Sequence, residues 1–262
     1  MPSASPIAVV TGASSGIGAV YADRLARRGY DLVLVARRID RLRQLADTLC
    51  ATHGIKVRSI EADLTEEAGL VQVEELLRTD EGIALLVNNA GNGKLSSTAD
   101  MSDADTAATI ALNVVAPTRL ARAVLPAFLR RHSGAIINIA SVMAFHSLPI
   151  TTLYSATKSY VLMFSRGLQG ELANTGVRVQ AVLPAGTATE FYDHAGIPLS
   201  AFEPAVGMTT ENLVDAALAG FDKGEEVTLF PVHDVSLWDA YEQARSALFG
   251  ATQVGTPAPR YA

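Results

Sequence analysis

Tyr154 and Lys158 stand four residues apart in a stretch with helical spacing, so their side chains share one face. An isolated tyrosine ionises near pH ~10 and moves protons poorly at neutral pH. An ammonium group alongside favours the phenolate and lowers that pKa. Such a pair can pass a proton to or from a substrate oxygen. Tyr-x-x-x-Lys also arises by chance on amphipathic helix faces, so the pair needs company. Ser141 supplies it, ending a strand-like run thirteen residues before Tyr154. Its hydroxyl can hold the same oxygen, although a plain turn serine would look the same.

A second constellation lies near the N-terminus. The run Thr11, Gly12, Ala13, Ser14, Ser15, Gly16, Ile17, Gly18 joins a short β-branched stretch to an amphipathic helix. Glycines in a strand-to-helix turn let the backbone approach a phosphate, whose charge the helix N-terminus favours. The spacing is Gly-x-x-x-Gly-x-Gly rather than the commoner Gly-x-Gly-x-x-Gly of dinucleotide folds. The same residues match Gly-x-Ser-x-Gly around Ser14, the pattern of a hydrolase nucleophile. That reading fails on context, because only one short strand precedes Ser14 and none is left to supply an oxyanion hole. Ser14 and Ser15 read instead as phosphate donors.

The end of the second strand-like run chooses between cofactors. NAD-binding folds place an acidic residue there to accept from the ribose hydroxyls. This chain has Ala36, Arg37 and Arg38. A carboxylate repels a 2′-phosphate, whereas a guanidinium binds it through paired hydrogen bonds. The sequence therefore favours NADP(H) over NAD(H), unless both arginines are merely solvated charges at a helix start.

These residues need a scaffold, and the pattern around them supplies one. Strands are expected at Ile7 to Val10, Asp31 to Ala36, Lys56 to Ile60, Ile83 to Val87, Ala135 to Ala140, Val177 to Leu183 and Val227 to Phe230. Helices are expected at Gly16 to Arg28, Ile39 to Thr52, Glu66 to Arg78, Asp103 to Arg130, Leu153 to Ala173, Thr210 to Phe221 and Val235 to Phe249. Alternation of this kind gives an α/β fold, a doubly wound parallel sheet of about seven strands with helices on both faces. Ligands in such sheets sit beyond the carboxyl ends of the strands. Residues 185–208 break the rhythm with glycines, prolines and aromatics and read as a substrate lid. The tail, 255–262, reads as loose.

Composition narrows the partners. The 262 residues are 49% hydrophobic and 18% charged, with a net charge of −6. That excludes a disordered chain and argues against nucleic-acid binding. Cys50 is the only cysteine, so no internal disulfide forms and a reducing compartment fits. The start of the chain carries no secretory signature, and no apolar run approaches the roughly 18 residues of a membrane span. A cytoplasmic protein without membrane contact is expected. His53, His132, His146, His194 and His233 show no metal-ligand spacing, and no metal is expected. His146 is a candidate substrate contact, with a surface or packed histidine as the plainer reading.

Taken in order, Thr11 to Gly18, Asp63-Leu64, Asn88-Asn89-Ala90-Gly91, Asn113, Ser141, Tyr154 to Lys158 and Pro184 to Thr189 resemble the short-chain dehydrogenase/reductase family over roughly residues 6 to 230. The resemblance implies a single Rossmann-like domain over 1–262 and interconversion of a carbonyl with a secondary or primary alcohol. It implies that NADPH gives hydride to the carbonyl carbon, Tyr154 acts as acid or base, and Ser141 steadies the oxygen. Lys158 would serve the tyrosine and bind the nicotinamide ribose. Asn113 would bend the long helix and hold a water linking Lys158 to solvent. Asp63 and Leu64 would lie beside the adenine, and Asn89, Ala90 and Gly91 would flank the adenosine ribose. Arg37 sits where NADP-preferring members place a basic residue.

The departures are few. The usual Pro-Gly after the sixth strand is Pro184-Ala185, with Gly186 following, while Thr187 and Thr189 remain candidates for the carboxamide or pyrophosphate. Relatives commonly assemble as homodimers or homotetramers through the long helix and the Tyr-Lys helix. Val142, Met143, Phe145, Leu148, Phe191, Tyr192 and Phe202 are candidate pocket walls for a small, moderately apolar carbonyl compound. An epimerase or dehydratase on the same scaffold, or an idle NADP-binding regulator, are the alternatives.

Overall fold

The computed structural model describes residues 5–187 and 207–261. Seven strands form one parallel sheet: β1 (Ile7–Thr11), β2 (Asp31–Ala36), β3 (Val57–Glu61), β4 (Ile83–Asn88), β5 (Gly134–Ile139), β6 (Val177–Val182) and β7 (Val227–Thr228). Their spatial order is β3-β2-β1-β4-β5-β6-β7. The order reverses between β1 and β4, which places a crevice at the carboxyl ends of those two strands. The helices between them are α1 (Gly16–Arg27), α2 (Ile39–His53), α3 (Glu67–Thr79), α4 (Asp103–Ile110), α5 (Ala116–Arg131), α6 (Thr152–Glu171) and α7 (Thr210–Lys223). The doubly wound α/β fold expected from the alternation is the fold observed.

One register row shows how the sheet buries its faces. Val33, Val9, Leu86, Ile136 and Val179 lie side by side across β2, β1, β4, β5 and β6. All five join a core with Leu70, Val73 and Leu77 of α3 and Leu120, Val124 and Phe128 of α5. The next row, Leu34, Val10, Val87, Ile137 and Gln180, points to the other face because side chains alternate along a strand. Gln180 is buried there and donates to the carbonyl of Ala217 in α7 at 2.9 Å and to Thr228 Oγ1 at 2.8 Å. Two bidentate ion pairs, Arg24 with Asp215 and Arg28 with Asp222, fasten α7 to α1.

Helices α3 and α5 are also joined by charge. Arg119 bonds Glu67 and Glu74, and Arg78 adds a second cation to Glu74, which is only 2% exposed. The hydrogen bonds from Arg119 hold the Glu74 carboxyl below its ordinary range. A carboxylate this deep needs such partners, since an unpaired buried charge is strongly destabilising.

Three expectations change in detail. The helix expected from Asp103 to Arg130 is interrupted by a π-turn, Ala111–Val115, in which the Ala116 N–H bonds the carbonyl of Ala111. Asn113 lies inside this turn, so the bend expected at that residue has a specific hydrogen-bond origin. The joined run Asp103–Arg131 is long and apolar enough to cross a membrane by length and composition, contrary to the sequence expectation. Its alanines and few charges raise the average, but 44% of the apolar window is buried inside the fold. Its α5 part packs against β4, β5 and α3. Finally, β7 is two residues long, Val227–Thr228, shorter than the expected Val227 to Phe230.

The chain divides into two compact units, Met1–Leu229 and Phe230–Ala262. The sheet and helices above belong to the first. The second holds α8 (Val235–Ala251), none of whose residues is buried, and a 3-10 turn at Pro259–Tyr261. Most of the expected lid, with Thr189, Phe191, Tyr192 and Phe202, lies outside the described residues. Its two described ends meet: Thr187 and Met208 form a parallel bridge, and the Met208 N–H reaches the carbonyl of Gly186 at 3.4 Å.

Candidate active site

The crevice between β1 and β4 is stitched by one side chain from each strand end. The Thr11 hydroxyl accepts the N–H groups of Asn89 and Ala90, each at 3.0 Å, and donates to the carbonyl of Val87 at 3.2 Å. Asn89 Nδ2 returns the contact, donating to the carbonyls of Thr11 at 2.9 Å and Gly12 at 3.3 Å. Against this seam the glycines have no room for a side chain. Gly12 has φ +67°, and a Cβ there would lie 2.8 Å from Asn89 Nδ2. A Cβ on Gly18 would run into the Gly12 carbonyl oxygen. Helix α1 begins at Gly16, and no side chain caps its N-terminus. A bare helix start behind a glycine turn suits an anionic phosphate.

The two arginines after β2 divide. Arg38 reaches over the turn and donates to Ser14 Oγ at 3.0 Å and Ser15 Oγ at 2.8 Å. Each serine hydroxyl accepts from a cation in this arrangement and still carries a proton to donate. Arg37 is 71% exposed and faces Asp63 at 3.7 Å. Burial alone would raise the Asp63 carboxyl. Hydrogen bonds from the N–H and hydroxyl of Thr65, with the charge of Arg37, outweigh that and hold it below its ordinary value. Leu64 is buried beside it at 5% exposure. Arg38 thus sits against the phosphate-type turn, whereas Arg37, the position singled out by family resemblance, is engaged with a carboxylate.

Across the crevice, α6 brings Tyr154 and Lys158 together. The ammonium lies 5.7 Å from the centre of the Tyr154 ring and donates to the carbonyl of Ile139 at 2.9 Å. Lys158 is 6% exposed, and burial pushes its ammonium down to about 8. Gly91 lies beside it: a Cβ there would stand in ordinary contact with the lysine nitrogen at 3.5 Å and more tightly against Asn113 Oδ1 at 3.3 Å. The Asn113 side chain is committed elsewhere. It donates to the carbonyl of Asn92 at 2.8 Å and to Thr157 Oγ1 at 3.1 Å, and accepts the Asn92 N–H at 2.9 Å. It therefore locks the π-turn to α6 and to the chain leaving β4.

Ser141 follows β5 and caps the 3-10 turn Val142–Ala144. Its Oγ accepts the Met143 N–H at 3.1 Å and donates to the carbonyl of Pro184 at 3.4 Å. The turn role and the position at the ligand edge coincide in one residue. Pro184 and Ala185 continue from β6, and Thr187 Oγ1 donates to the Ala185 carbonyl at 3.0 Å.

Sequence reasoning passed over a buried polar path beneath the site. Asn88 Nδ2 donates to Asn138 Oδ1 at 2.9 Å, Asn138 Nδ2 to Ser165 Oγ at 2.9 Å, and Ser165 Oγ to the carbonyl of Val161 at 2.7 Å. This path ties β4 through β5 to the middle of α6. The signal was an asparagine inside the apolar run Ala135–Ala140, a position where an unpaired amide is costly.

Comparison with known proteins shows the family and the fold. The family model for short chain dehydrogenases matches residues 6–196. A short-chain dehydrogenase from Sphingobium yanoikuyae, solved in complex with NADPH, superposes with a TM-score of 0.94 at 46% identity, covering 98% of this chain and 100% of that one. The bulky-bulky ketone specific alcohol dehydrogenase from Comamonas testosteroni superposes with a TM-score of 0.89 at 42% identity, covering 98% of both chains. The very-long-chain 3-oxoacyl-CoA reductase of Anas platyrhynchos is 37% identical over 189 residues, which is 70% of this chain and 60% of that protein. The chain thus spans about 60% of the length of the first such curated relatives.

The burial of Lys158 generates a measurable expectation. Its ε-methylene signal in the cofactor-free protein should titrate with a midpoint near 8, well below an ordinary lysine. The group is charged below that pH and neutral above it. Because burial disfavours the cation, this lysine opposes folding at pH below about 8, and the penalty fades as pH rises towards the unfolded value of about 10.4. Selective labelling and NMR titration, with Lys158→Met to assign the signal, read this directly. A midpoint above 10 would contradict the burial argument.

Proposed function

The chain belongs to the short-chain dehydrogenase family, and on that premise we propose that it is an NADP(H)-dependent oxidoreductase interconverting bulky, largely apolar ketones and their secondary alcohols. The observation that carries this reading is the buried ammonium of Lys158 beside the Tyr154 ring, at the rim of the same sheet that holds the glycine turn.

The residues present fit the dinucleotide. Gly12 and Gly18 let the turn pack tightly on itself and on Asn89, which keeps the uncapped start of α1 bare at the switch point where such cofactors lie. Arg38, already directed at Ser14 and Ser15, suits a 2′-phosphate, and Asp63 is paired with Arg37 rather than left to repel it. Gly16, Ile17, Leu64, Asn89, Ala90, Gly91, Pro184, Gly186 and Thr187 complete the lining we assign to it, and Thr189 lies outside the described residues.

When bound, the nicotinamide supplies or receives the hydride at the carbonyl carbon. In reduction, the Tyr154 hydroxyl gives its proton to the substrate oxygen as that oxygen gains negative charge. The Ser141 hydroxyl holds the same oxygen and keeps it within reach. The charge on Lys158 steadies the phenolate that Tyr154 becomes once its proton has left. Electrostatic stabilisation by groups already in place costs little reorganisation during the reaction. Asn113 keeps the π-turn against Thr157, one residue from Lys158, and we assign to it the water that links Lys158 to solvent. In oxidation, Tyr154 receives the proton.

Several relatives support the bulky-ketone reading. The Comamonas protein is described as specific for bulky-bulky ketones, and a 17-beta-hydroxysteroid dehydrogenase type 3 from Danio rerio is 32% identical over 84% of this chain. Beside Ser141 in the chain, Val142 and Met143 are half-buried, while Phe145 and Leu148 are exposed apolar residues. We further place the protein in the cytoplasm as a homodimer or homotetramer. Ile110, Val115 and Met163, exposed on the α4–α5 run and on α6, support an interface there.

Three measurements test these statements. Incubation with NADPH and a panel of ketones should consume NADPH fastest with ketones carrying two large substituents, and Tyr154→Phe should lower turnover about 10²–10⁴-fold while leaving NADPH binding in place. Binding without turnover of any carbonyl would favour an idle regulator, and full activity in the variant would remove Tyr154 from the mechanism. Arg38→Gln should weaken NADPH about 10- to 100-fold and leave NADH nearly unchanged, from the loss of charge-assisted hydrogen bonds. Equal losses for both cofactors would refute the phosphate role. Light scattering should give a dimer or tetramer mass; a monomer at micromolar concentration would refute the assembly.

A further inference from the structure

Two consecutive residues of α6 grip the segment that carries Ser141. Lys158 Nζ donates to the carbonyl of Ile139, two residues before Ser141, at 2.9 Å. Ser159 Oγ donates to the carbonyl of Ala144, three residues after Ser141, at 2.5 Å. Between those anchors the turn is held on its other side by Pro184, whose carbonyl accepts the Val142 N–H at 2.9 Å. Within the turn, Ser141 Oγ accepts the Met143 N–H, and the Ser141 carbonyl accepts the Ala144 N–H at 2.9 Å. The direction of the Ser141 hydroxyl therefore depends on the turn staying closed, and the Ser159 bond closes it against α6.

We propose that Ser159 is a positioning residue, whose hydroxyl sets the placement of Ser141 relative to Tyr154 and Lys158. The inference rests on the function proposed above, in which Ser141 and Tyr154 meet one substrate oxygen. Tyr154, Lys158 and Ser159 share a rigid helix, so a bond from Ser159 to the Ser141 turn transmits the helix position to the serine. Ala144 is buried at 8% exposure, so its carbonyl finds little water if the serine hydroxyl is removed. The helix itself has other supports: Ser165 bonds Asn138 in β5, and Val161 and Leu162 pack in an apolar cluster with Ala140, Ala181 and Leu183. Ala144 belongs to the same cluster, so loss of the Ser159 hydroxyl removes the polar bond that fixes the turn along α6 while its apolar packing, the Val142–Pro184 bond and the docked helix remain. Displacement of a reacting group by about 1 Å can cost 10²-fold in rate.

The test compares wild type, Ser159→Ala and Ser159→Thr. In Ser159→Ala, kcat for a ketone should fall about 10- to 100-fold, with KM, NADPH affinity and melting temperature little changed. Hydrogen exchange at the Met143 and Ala144 amides of the cofactor-free protein should quicken. Ser159→Thr keeps the hydroxyl and should restore both turnover and protection. Wild-type kcat or unaltered exchange in Ser159→Ala would overturn the proposal. So would a joint fall of kcat, cofactor binding and melting temperature that threonine does not rescue, since that pattern marks a general structural role. If the wild type turns over no carbonyl at all, the functional reading fails instead, and the exchange comparison still decides whether Ser159 holds the turn.

Discussion

A single hydroxyl at the seam between β1 and β4 sets the frame for both halves of the site. Thr11 is 1% exposed and makes three hydrogen bonds to the backbone of the neighbouring strand end. Each such bond contributes about 1 kcal/mol net, but an unmade one in a buried place costs more than it would have gained. The glycine turn leaves from one side of this seam and the Asn89–Gly91 turn from the other. The first reaches the serines and Arg38, and the second reaches Lys158 and Asn113. The glycine turn and the segment facing Lys158 and Asn113 therefore share one rigid origin, although they come from distant parts of the sequence.

Around that origin the fold tolerates an expensive feature. A lysine ammonium at 6% exposure that donates to the backbone carbonyl of Ile139 is disfavoured by desolvation. The scaffold holds it there by rigidity. Helix α6 is tied through Ser165 and Asn138 to β4, and through Thr157 to the π-turn at Asn113. A chain of buried polar bonds from Asn88 through Asn138 to Ser165 fixes the docking of α6, and with it the placement of Lys158. The π-turn follows the same logic: the wide turn places a buried amide, Asn113, between α6 and the segment after β4.

Much of this was legible before any coordinates. Period and length placed the strands within a residue or two, because parallel strands buried on both faces read as continuous apolar runs. The glycine turn, Ser141 and the Tyr154–Lys158 pair were found by type and spacing, since their chemistry needs those atoms at those intervals. What escaped depended on pairing across the sheet. Asn138 and Ser165 are twenty-seven residues apart and meet only after α6 docks on β5. The division of labour between Arg37 and Arg38 was hidden because it turns on where Asp63 lies once β3 pairs with β2. The Asp103–Arg131 run lacks an unbroken apolar stretch of membrane length, and only its hydropathy averaged along the helix reaches that range.

The bridge between Thr187 and Met208 has a thermodynamic corollary. Closing a chain segment through such a bridge costs only about 0.6 kcal/mol more for each doubling of the segment's length. The number of residues between Thr187 and Met208 can therefore change at small thermodynamic cost while the backbone pairing that joins them is kept.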